Sequence, residues 1–456
     1  MNIHLTAIGC RLNEAELEDW SRQFREQGHQ LVADPEQADL VVFNSCAVTQ
    51  QAVRSSRQYV RRVKRANPQA KMVISGCYAT LNEKEAAAQL EVDLVVPNQQ
   101  KDRLAEITAH ALDIAAPEVY DAIEVDVPAM SLFERGRQRA FVKIQDGCRH
   151  HCTYCIVTVA RGAERSRTVQ DVVSEVNQLV DSGVQEAVLT GVHVGGYGSD
   201  LGTNLFQLVQ RILEETDLPR LRFASVEPWD LPRNFFELFS NPRLMPHMHL
   251  PLQSGSDRIL RQMARRCLTQ DFAELVREAR LVVPSFNVTT DIIVGFPGET
   301  AADWQETLAF VEQMNFGHIH IFSFSPREGT KAASFPSQIV GDVKRLRSQQ
   351  LHDVAHESKR QVLERFVGQS CEVLWEGQGQ LLADGVQRFS GYTRNYLRVH
   401  VDVAEGLALS NRITPVILGL VEEAGDSMAA HLSPGVLDAL PRTSSFPTFW
   451  MRNVGK

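Results

Sequence analysis

Cys148-Arg149-His150-His151-Cys152-Thr153-Tyr154-Cys155 puts three thiols at a C-x3-C-x2-C spacing in a chain with only eight cysteines in 456 residues. Three thiolates on one short loop can hold three corners of a cubane iron–sulfur cluster. The fourth iron then has no protein ligand and is open to bind and activate something. A structural zinc site would close its shell with four ligands, and only His150 and His151, inside the tight loop, are at hand for that. The soft three-thiolate set favours the cluster over zinc. The loop directly follows Phe141 to Ile144, a strand-like apolar run, so the chemistry-bearing residues sit just past a strand.

The same arrangement recurs downstream. Strand-like runs are Phe141 to Ile144, Ala187 to Leu189, Leu221 to Ala224, Met248 to Leu250, Val288 to Val294 and Ile319 to Phe324, and helical stretches such as Val169 to Leu179, Leu205 to Glu214 and Ala301 to Gln313 separate most of them. Six strands with right-handed crossovers predict a partial (β/α)6 TIM-like barrel, whose chemistry lies at the C-terminal strand ends. A polar cluster follows each run: Cys148 to Cys155, Thr190 to Gly198, Ser225 to Asp230, Gln253 to Asp257, Gly295 to Glu299 and Ser325 to Thr330. Taken singly, each is read as a tight βα turn; gathered on one rim beside the cysteine loop, they favour a ligand site.

Upstream, His4 to Ile8, Leu40 to Phe43 and Met72 to Ile74 read as strands, with helices over Glu14 to Gln27 and Val53 to Ala66. This βα alternation predicts an N-terminal parallel α/β domain. Cys10, Cys46 and Cys77 each stand just past one of the three strands. Strand C-termini share one edge of a parallel sheet, so these thiols can converge there. They read as a second three-thiol cluster site, against the alternative of three buried structural cysteines.

Residues 101–134, with Pro117 and Pro128, read as a domain end and linker. Lys344 to Arg365 reads as a polar helix. Beyond Gly368 the pattern turns to short alternating strands, Cys371 to Trp375, Leu381 to Gly385 and Tyr396 to Val401, predicting a small C-terminal β-barrel suited to RNA. The organisation expected is an α/β multidomain chain: 1–120, 134–365, 366–425 and an extension 426–456 of unknown role.

The net charge of −9 argues against a general nucleic-acid coat. Local basic groups stand out nonetheless. Arg54, Arg57, Arg61, Arg62, Lys64 and Arg65 share one helical stretch, and Arg135, Arg137, Arg139, Arg161, Arg165 and Arg167 flank the cysteine loop. A solvated helix face is the plain reading of such runs; RNA phosphate contact is the functional one. No apolar run is long enough for a membrane span and no signal peptide is seen, which predicts a cytoplasmic, reducing location.

The Cys148/Cys152/Cys155 loop resembles that of the radical S-adenosylmethionine (SAM) enzymes. The cysteine-bearing domain in front, Arg161-Gly162-Ala163-Glu164-Arg165-Ser166-Arg167 after the loop, and a C-terminal barrel resembling a TRAM domain, with Gly391-Tyr392-Thr393-Arg394-Asn395-Tyr396, narrow the resemblance to the methylthiotransferases over roughly residues 1–425. Gly9-Cys10-Arg11-Leu12-Asn13-Glu14-Ala15-Glu16 and Leu189-Thr190-Gly191-Val192-His193-Val194 look most like the branch acting on N6-threonylcarbamoyladenosine in tRNA. Thr158, where proline is usual, and Cys267 and Phe324, where tyrosine is usual, depart from the pattern without removing a ligand.

The resemblance implies two [4Fe–4S] clusters, one on Cys148, Cys152 and Cys155 and an auxiliary one on Cys10, Cys46 and Cys77. SAM bound to the first yields a 5′-deoxyadenosyl radical that takes hydrogen from carbon 2 of the adenine, where a methylthio group is then placed. It implies SAM contacts from Tyr154, Thr190, Gly191, Ser225, Glu227, Gln253, Gly295, Phe296 and Pro297, and RNA contacts from Arg54, Arg57, Arg61, Arg62, Arg65, Arg165, Arg167 and Arg394. An electron donor and a sulfur source are further expected partners. The alternatives are methylthiolation of isopentenyladenosine in tRNA or of a ribosomal-protein aspartate, and a non-catalytic iron–sulfur RNA-binding protein. His193 and His249 read as core histidines, and Cys267 and Cys371 carry no role.

Overall fold

The computed structural model describes residues 1–114, 138–232, 234–382 and 385–440. Pro117, Pro128, Arg135 and Arg137, and the tail from 441 with Pro441 and Pro447, lie outside the described residues.

The N-terminal sheet has strands β1 (Asn2–Ala7), β2 (Gln30–Leu31), β3 (Leu40–Ser45), β4 (Lys71–Ser75) and β5 (Leu94–Val96). All pair in parallel in the order β2-β1-β3-β4-β5. Helix α1 (Arg11–Glu26) and the helix Leu104–Ala111 cover one face through Leu17, Trp20, Phe24 and Leu104. Helix α2 (Gln50–Ala66) covers the other through Val60 and Val63. The central strand β3 is buried at every residue, as a strand with helices on both faces must be. Helix Leu104–Ala111 replaces part of the linker expected over 101–134.

The central region carries six parallel strands in two sheets. Arg139–Lys143, Glu186–Thr190 and Arg220–Phe223 form one; His247–His249, Asn287–Val294 and His318–Ser323 form the other. Parallel bridges from Leu221 to Leu244 and from Ser225 to His249 join them into the expected open half-barrel. Along Asn287–Val294, Val288, Ile292 and Val294 pack into the helix-facing core. Thr289, Asp291 and Ile293 alternate with them and face the lumen.

A closed five-stranded barrel follows: Ser370–Leu381, Val386–Thr393, Arg398–Ala404, Ile413–Val421 and Met428–Leu432. Two expectations change here. The strand expected over Leu381 to Gly385 is not there: Leu381 ends the first barrel strand, paired with Gln387, Gly385 sits at φ +69°, and Ala383 and Asp384 lie outside the described residues. The closing strand Met428–Leu432 falls in the region assigned to the extension, so the barrel runs past 425; with two alanines and no β-branched residue, it carries little strand signal.

Both outer parts are tied to the half-barrel. On the N-terminal side, Lys101, Glu16, Asp146 and Arg161 form a buried ionic network. Arg161 Nη1 lies 2.8 Å from Glu16 Oε1 and 3.1 Å from Asp146 Oδ1, and Lys101 Nζ lies 2.5 Å from Asp146 Oδ2 and also pairs with Glu16. On the other side, Tyr396 of the small barrel stacks on Tyr392, with ring centroids 4.5 Å apart, and lies under the guanidinium groups of Arg139 and Arg222. Arg139 also pairs with Glu376 at 2.5 Å, and Asn395 O accepts from Asn287 Nδ2 at 2.9 Å. Among the described residues, no helix is long and apolar enough to cross a membrane.

Candidate iron–sulfur and SAM site

Cys10, Cys46 and Cys77 stand at the C-terminal ends of β1, β3 and β4, Cys77 in the first turn of the helix Gly76–Leu81. Their loops are pressed together. A Cβ on Gly9, which sits at φ +121°, would lie 2.7 Å from Cys46 Cβ and 2.9 Å from its Sγ, so only glycine fits beside this thiol. Ser45 Oγ donates to Ser75 O at 2.5 Å and accepts from Ala79 N at 3.2 Å, clamping the Cys46 loop to the helix that carries Cys77. Cys10 occupies the N-cap position of α1, and its Sγ lies 3.6 Å from Asn13 Oδ1 in the first turn.

Burial raises the Cys10 thiol although the residue keeps an exposed surface, and pushes Cys46 up to about 11. Cys77 raises both further, Cys10 adds to the rise of Cys46, and the Arg161 cation acts against it. Crowded thiols, unfavourable as bare thiolates, become stable when a bound metal centre neutralises them. The donor set therefore fits an iron–sulfur cluster.

The second thiol loop is held by its backbone. Cys148 N donates to Gly162 O at 3.1 Å, Thr153 N to Met263 O at 3.0 Å, and Ala332 N to Thr153 O at 2.8 Å. His150 N points at Cys148 Sγ, 3.4 Å away, as a backbone donor does toward a ligating thiolate. Thr158, in place of the usual proline, staples the loop by donating to His150 O at 2.9 Å. Burial pushes Cys148 up to about 12 and Cys155 up to about 11, and Cys155 also senses Cys77 of the other trio. Asn98 Nδ2 lies 3.9 Å from Cys77 Sγ and donates to Ala160 O at 2.8 Å, in the helix Val157–Arg161 that follows the second loop, so the two thiol groups are neighbours.

His193 is no passive core residue. It is fully buried, with Nε2 2.7 Å from Asp230 Oδ2 and Nδ1 paired to Glu164. Burial works against its charged form, but Asp230, Glu227 and Glu164 together raise the imidazole. Asp230 also accepts from His150 Nε2 at 2.8 Å and pairs with Arg149 at 3.2 Å, so the network braces the cysteine loop. A histidine between glycine-rich turns gives no sequence cue to these partners.

The residues expected to contact SAM take varied positions. Thr190 ends its strand, and Gly191 abuts Gln145, whose Oε1 accepts from Val192 N at 3.0 Å and His193 N at 2.8 Å. Ser225 bridges to His249. Glu227 is raised by burial and accepts from Gly195 N at 3.3 Å. Gln253 holds a left-handed backbone at φ +83°, with its N–H on Asp291 O at 2.8 Å. Gly295, followed by Pro297, behaves as a turn glycine: a Cβ there would meet Lys344 Cγ at 2.5 Å, and its N–H donates to Glu299 Oε2 at 3.0 Å, itself bound to Arg347. Phe296 packs against Phe324, and Tyr154 joins the same apolar cluster, with its hydroxyl raised well above the ordinary range by burial.

The basic residues divide. Arg54, Arg61, Arg62 and Arg65 are exposed along α2. Arg57 is engaged by Tyr78 and Glu85, Arg167 by Glu175 and Lys143 O, and Arg394 by Pro242 O at 2.5 Å in the seam with the small barrel. Arg165 stays exposed, 3.9 Å from Asp146.

Residues 2–97 match the family described as uncharacterized protein family UPF0004, and residues 142–311 match the radical SAM superfamily. The chain is 33% identical over 408 residues to the threonylcarbamoyladenosine tRNA methylthiotransferase MtaB of Bacillus subtilis, covering 86% of this chain and 88% of that one. The chain belongs to the radical SAM methylthiotransferases. It is accordingly an enzyme that uses SAM and [4Fe–4S] chemistry. The tRNA-2-methylthio-N(6)-dimethylallyladenosine synthase of Akkermansia muciniphila is 34% identical over 433 residues, covering 89% and 94% of the two chains. Among solved structures, the radical SAM methyltransferase TsrM of Kitasatospora setae, bound to tryptophan and a SAM analogue, superposes with TM-score 0.54 at 12% identity, covering 96% of this chain and 86% of that one. That likeness concerns the fold alone.

Proposed function

We propose that this enzyme places a methylthio group on carbon 2 of N6-threonylcarbamoyladenosine in tRNA, in the cytoplasm, using two [4Fe–4S] clusters. The observation that carries the reading is the pair of neighbouring three-thiol groups, linked through Asn98, each of which would leave an iron free for a non-protein ligand. Bound there, the clusters and SAM supply a carbon radical for hydrogen abstraction and a sulfur to be transferred. The chain's own part is to hold and to shield. Cys148, Cys152 and Cys155 would ligate one cluster and Cys10, Cys46 and Cys77 the other, while the Glu164–His193–Asp230–His150 network fixes the first loop. The rim residues Thr190, Gly191, Ser225, Glu227 and Gln253 border that loop and are proposed to orient SAM. Relatives named for both tRNA branches match at similar identity, and the Gly9 to Glu16 and Leu189 to Val194 stretches favour the threonylcarbamoyl branch.

Mass spectrometry of tRNA nucleosides from a strain lacking the protein tests this. The 2-methylthio form of threonylcarbamoyladenosine should vanish and return with the wild-type gene but not with Cys152→Ala. An unchanged level of that nucleoside would overturn the substrate.

Exposed Arg54, Arg61, Arg62 and Arg65 on α2 are proposed to meet RNA phosphates. The double change Arg61→Glu and Arg62→Glu should weaken tRNA binding about tenfold or more at low salt, and flatten the log–log salt dependence by roughly two units. Unchanged affinity and slope in fluorescence anisotropy would remove α2 from the interface.

A further inference from the structure

The lumen of the half-barrel holds a polar cluster with no part in the thiol sites or their bracing. His249, Asp291 and His320 come from three adjacent strands, and their ligand atoms all lie within 4.8 Å of one another. His249 is engaged at both nitrogens, Nε2 at 3.1 Å from Asp291 Oδ1 and Nδ1 at 2.9 Å from Thr289 Oγ1. His320 is exposed, touching His249 and His318 edge-on at centroid distances of 5.3 and 4.6 Å, with no hydrogen bond given to it among the described residues. The second carboxylate oxygen of Asp291 and the imidazole of His320 are thus offered to the open lumen.

The position of the cluster matters as much as its composition. Ile293, two residues beyond Asp291 on the same strand face, belongs to the apolar cluster that Tyr154, between Cys152 and Cys155, packs against. Arg11, directly after Cys10, pairs with Glu14 and lies 5.2 Å over the ring of Phe141 in the first strand of the half-barrel. The cluster therefore lies in the half-barrel that both thiol loops border.

An isopentenyl group entering here would strip water from a carboxylate and an imidazole and offer no partner in return. That loss is not repaid by any hydrogen bond from the isopentenyl group. A threonylcarbamoyl group carries a hydroxyl, ureido N–H groups and a carboxylate. Asp291 can accept from the hydroxyl or an N–H, while His320 can donate to the carboxylate.

We infer that His249, Asp291 and His320 form the subsite that holds the threonylcarbamoyl substituent and so selects this nucleoside over the isopentenyl one. The inference rests on the function proposed above and names the residues that read the substituent; Asp291 and His320 would contact it, and His249 would position Asp291.

The test uses the anaerobically reconstituted enzyme and fluorescent anticodon stem-loops that differ only in the target adenosine: unmodified, threonylcarbamoyl or isopentenyl. Wild type should bind the threonylcarbamoyl form about tenfold or more tighter than either other, since a site built for polar partners rejects analogues lacking them. Asp291→Ala and His320→Leu should each lose most of that preference while keeping iron content and affinity for the unmodified stem-loop. His320 is exposed, so its replacement leaves the core intact even if Asp291→Ala folds poorly. A preference that survives in both variants overturns the subsite. A wild type that favours the isopentenyl stem-loop overturns the proposed function instead. Two histidines and a carboxylate are also a divalent-metal donor set; one equivalent of zinc or manganese that disappears in Asp291→Ala would overturn direct recognition of the substituent.

Discussion

Cys152→Ala protein, reconstituted anaerobically, is expected to form no 5′-deoxyadenosine and no methylthiolated product, and to carry about half the iron of the wild type. Cys46→Ala should lose the same share of iron yet still cleave SAM, because its site is separate from the Cys148 to Cys155 loop. Its methylthiolated product should fall to background. The two variants together separate the roles: one removes the radical, the other the group it receives. Iron analysis and chromatography of 5′-deoxyadenosine read both effects. Full iron in Cys46→Ala would show that Cys10, Cys46 and Cys77 do not jointly hold a cluster, and SAM cleavage by Cys152→Ala would remove that thiol from the first site.

Lys101→Met should destabilise the protein by about 3–5 kcal/mol, because it leaves buried carboxylates short of a cation. Lys101 is fully buried and Glu16 is 1% exposed, so water cannot replace the lost ammonium. Denaturant unfolding of the apo-protein measures the effect, and a loss under about 1 kcal/mol would show the network to be dispensable. The same network sets an acid limit. Burial alone would raise Glu16 and Asp146, but Arg161 and then Lys101 outweigh it, holding Glu16 at about 2 and Asp146 well below the usual carboxylate range. Depressed carboxylates contribute stability that is fully present above their unfolded values of about 4 and is lost as pH falls toward the folded ones. The seam between the N-terminal domain and the half-barrel should therefore hold down to about pH 4 and weaken between about 4 and 2. In Lys101→Met the folded values should move up toward the unfolded ones, so the acid-linked loss should shrink and its window narrow.

The cysteine loop was legible because its three thiols fall within eight residues. Cys10, Cys46 and Cys77 were legible for a different reason: strand ends in a parallel sheet share an edge, so topology substitutes for proximity in sequence. Five of the six barrel strands carried β-branched or aromatic residues enough to stand out; His247–His249 carried neither and showed only as the run Met248 to Leu250. Strands β2 and β5, of two and three residues, are too short to display a period. Glu16 and Lys101 look like surface charges in a string of letters, since nothing in their neighbours announces partners eighty-five residues away. The arginines mislead in the same way. Arg57, Arg167 and Arg394 resemble Arg61 in sequence, and only the fold distinguishes those already paired from those left exposed. His249 and His320 looked ordinary singly; the half-barrel makes them neighbours.

Tyr396 takes a left-handed backbone at φ +68° to lie between Tyr392 and two arginines at the floor of the half-barrel. A strained, stacked anchor on one side and buried ion pairs on the other tie the half-barrel to both of its neighbours, so its mouth is presented as a preset shape. On the function proposed above, an adenosine stacked in an anticodon loop would have to swing out of its neighbours to enter the lumen, and the conformational work would fall on the RNA. Substrates whose loops open readily should be modified fastest, and loop pliability then joins base identity in deciding which tRNAs carry the mark.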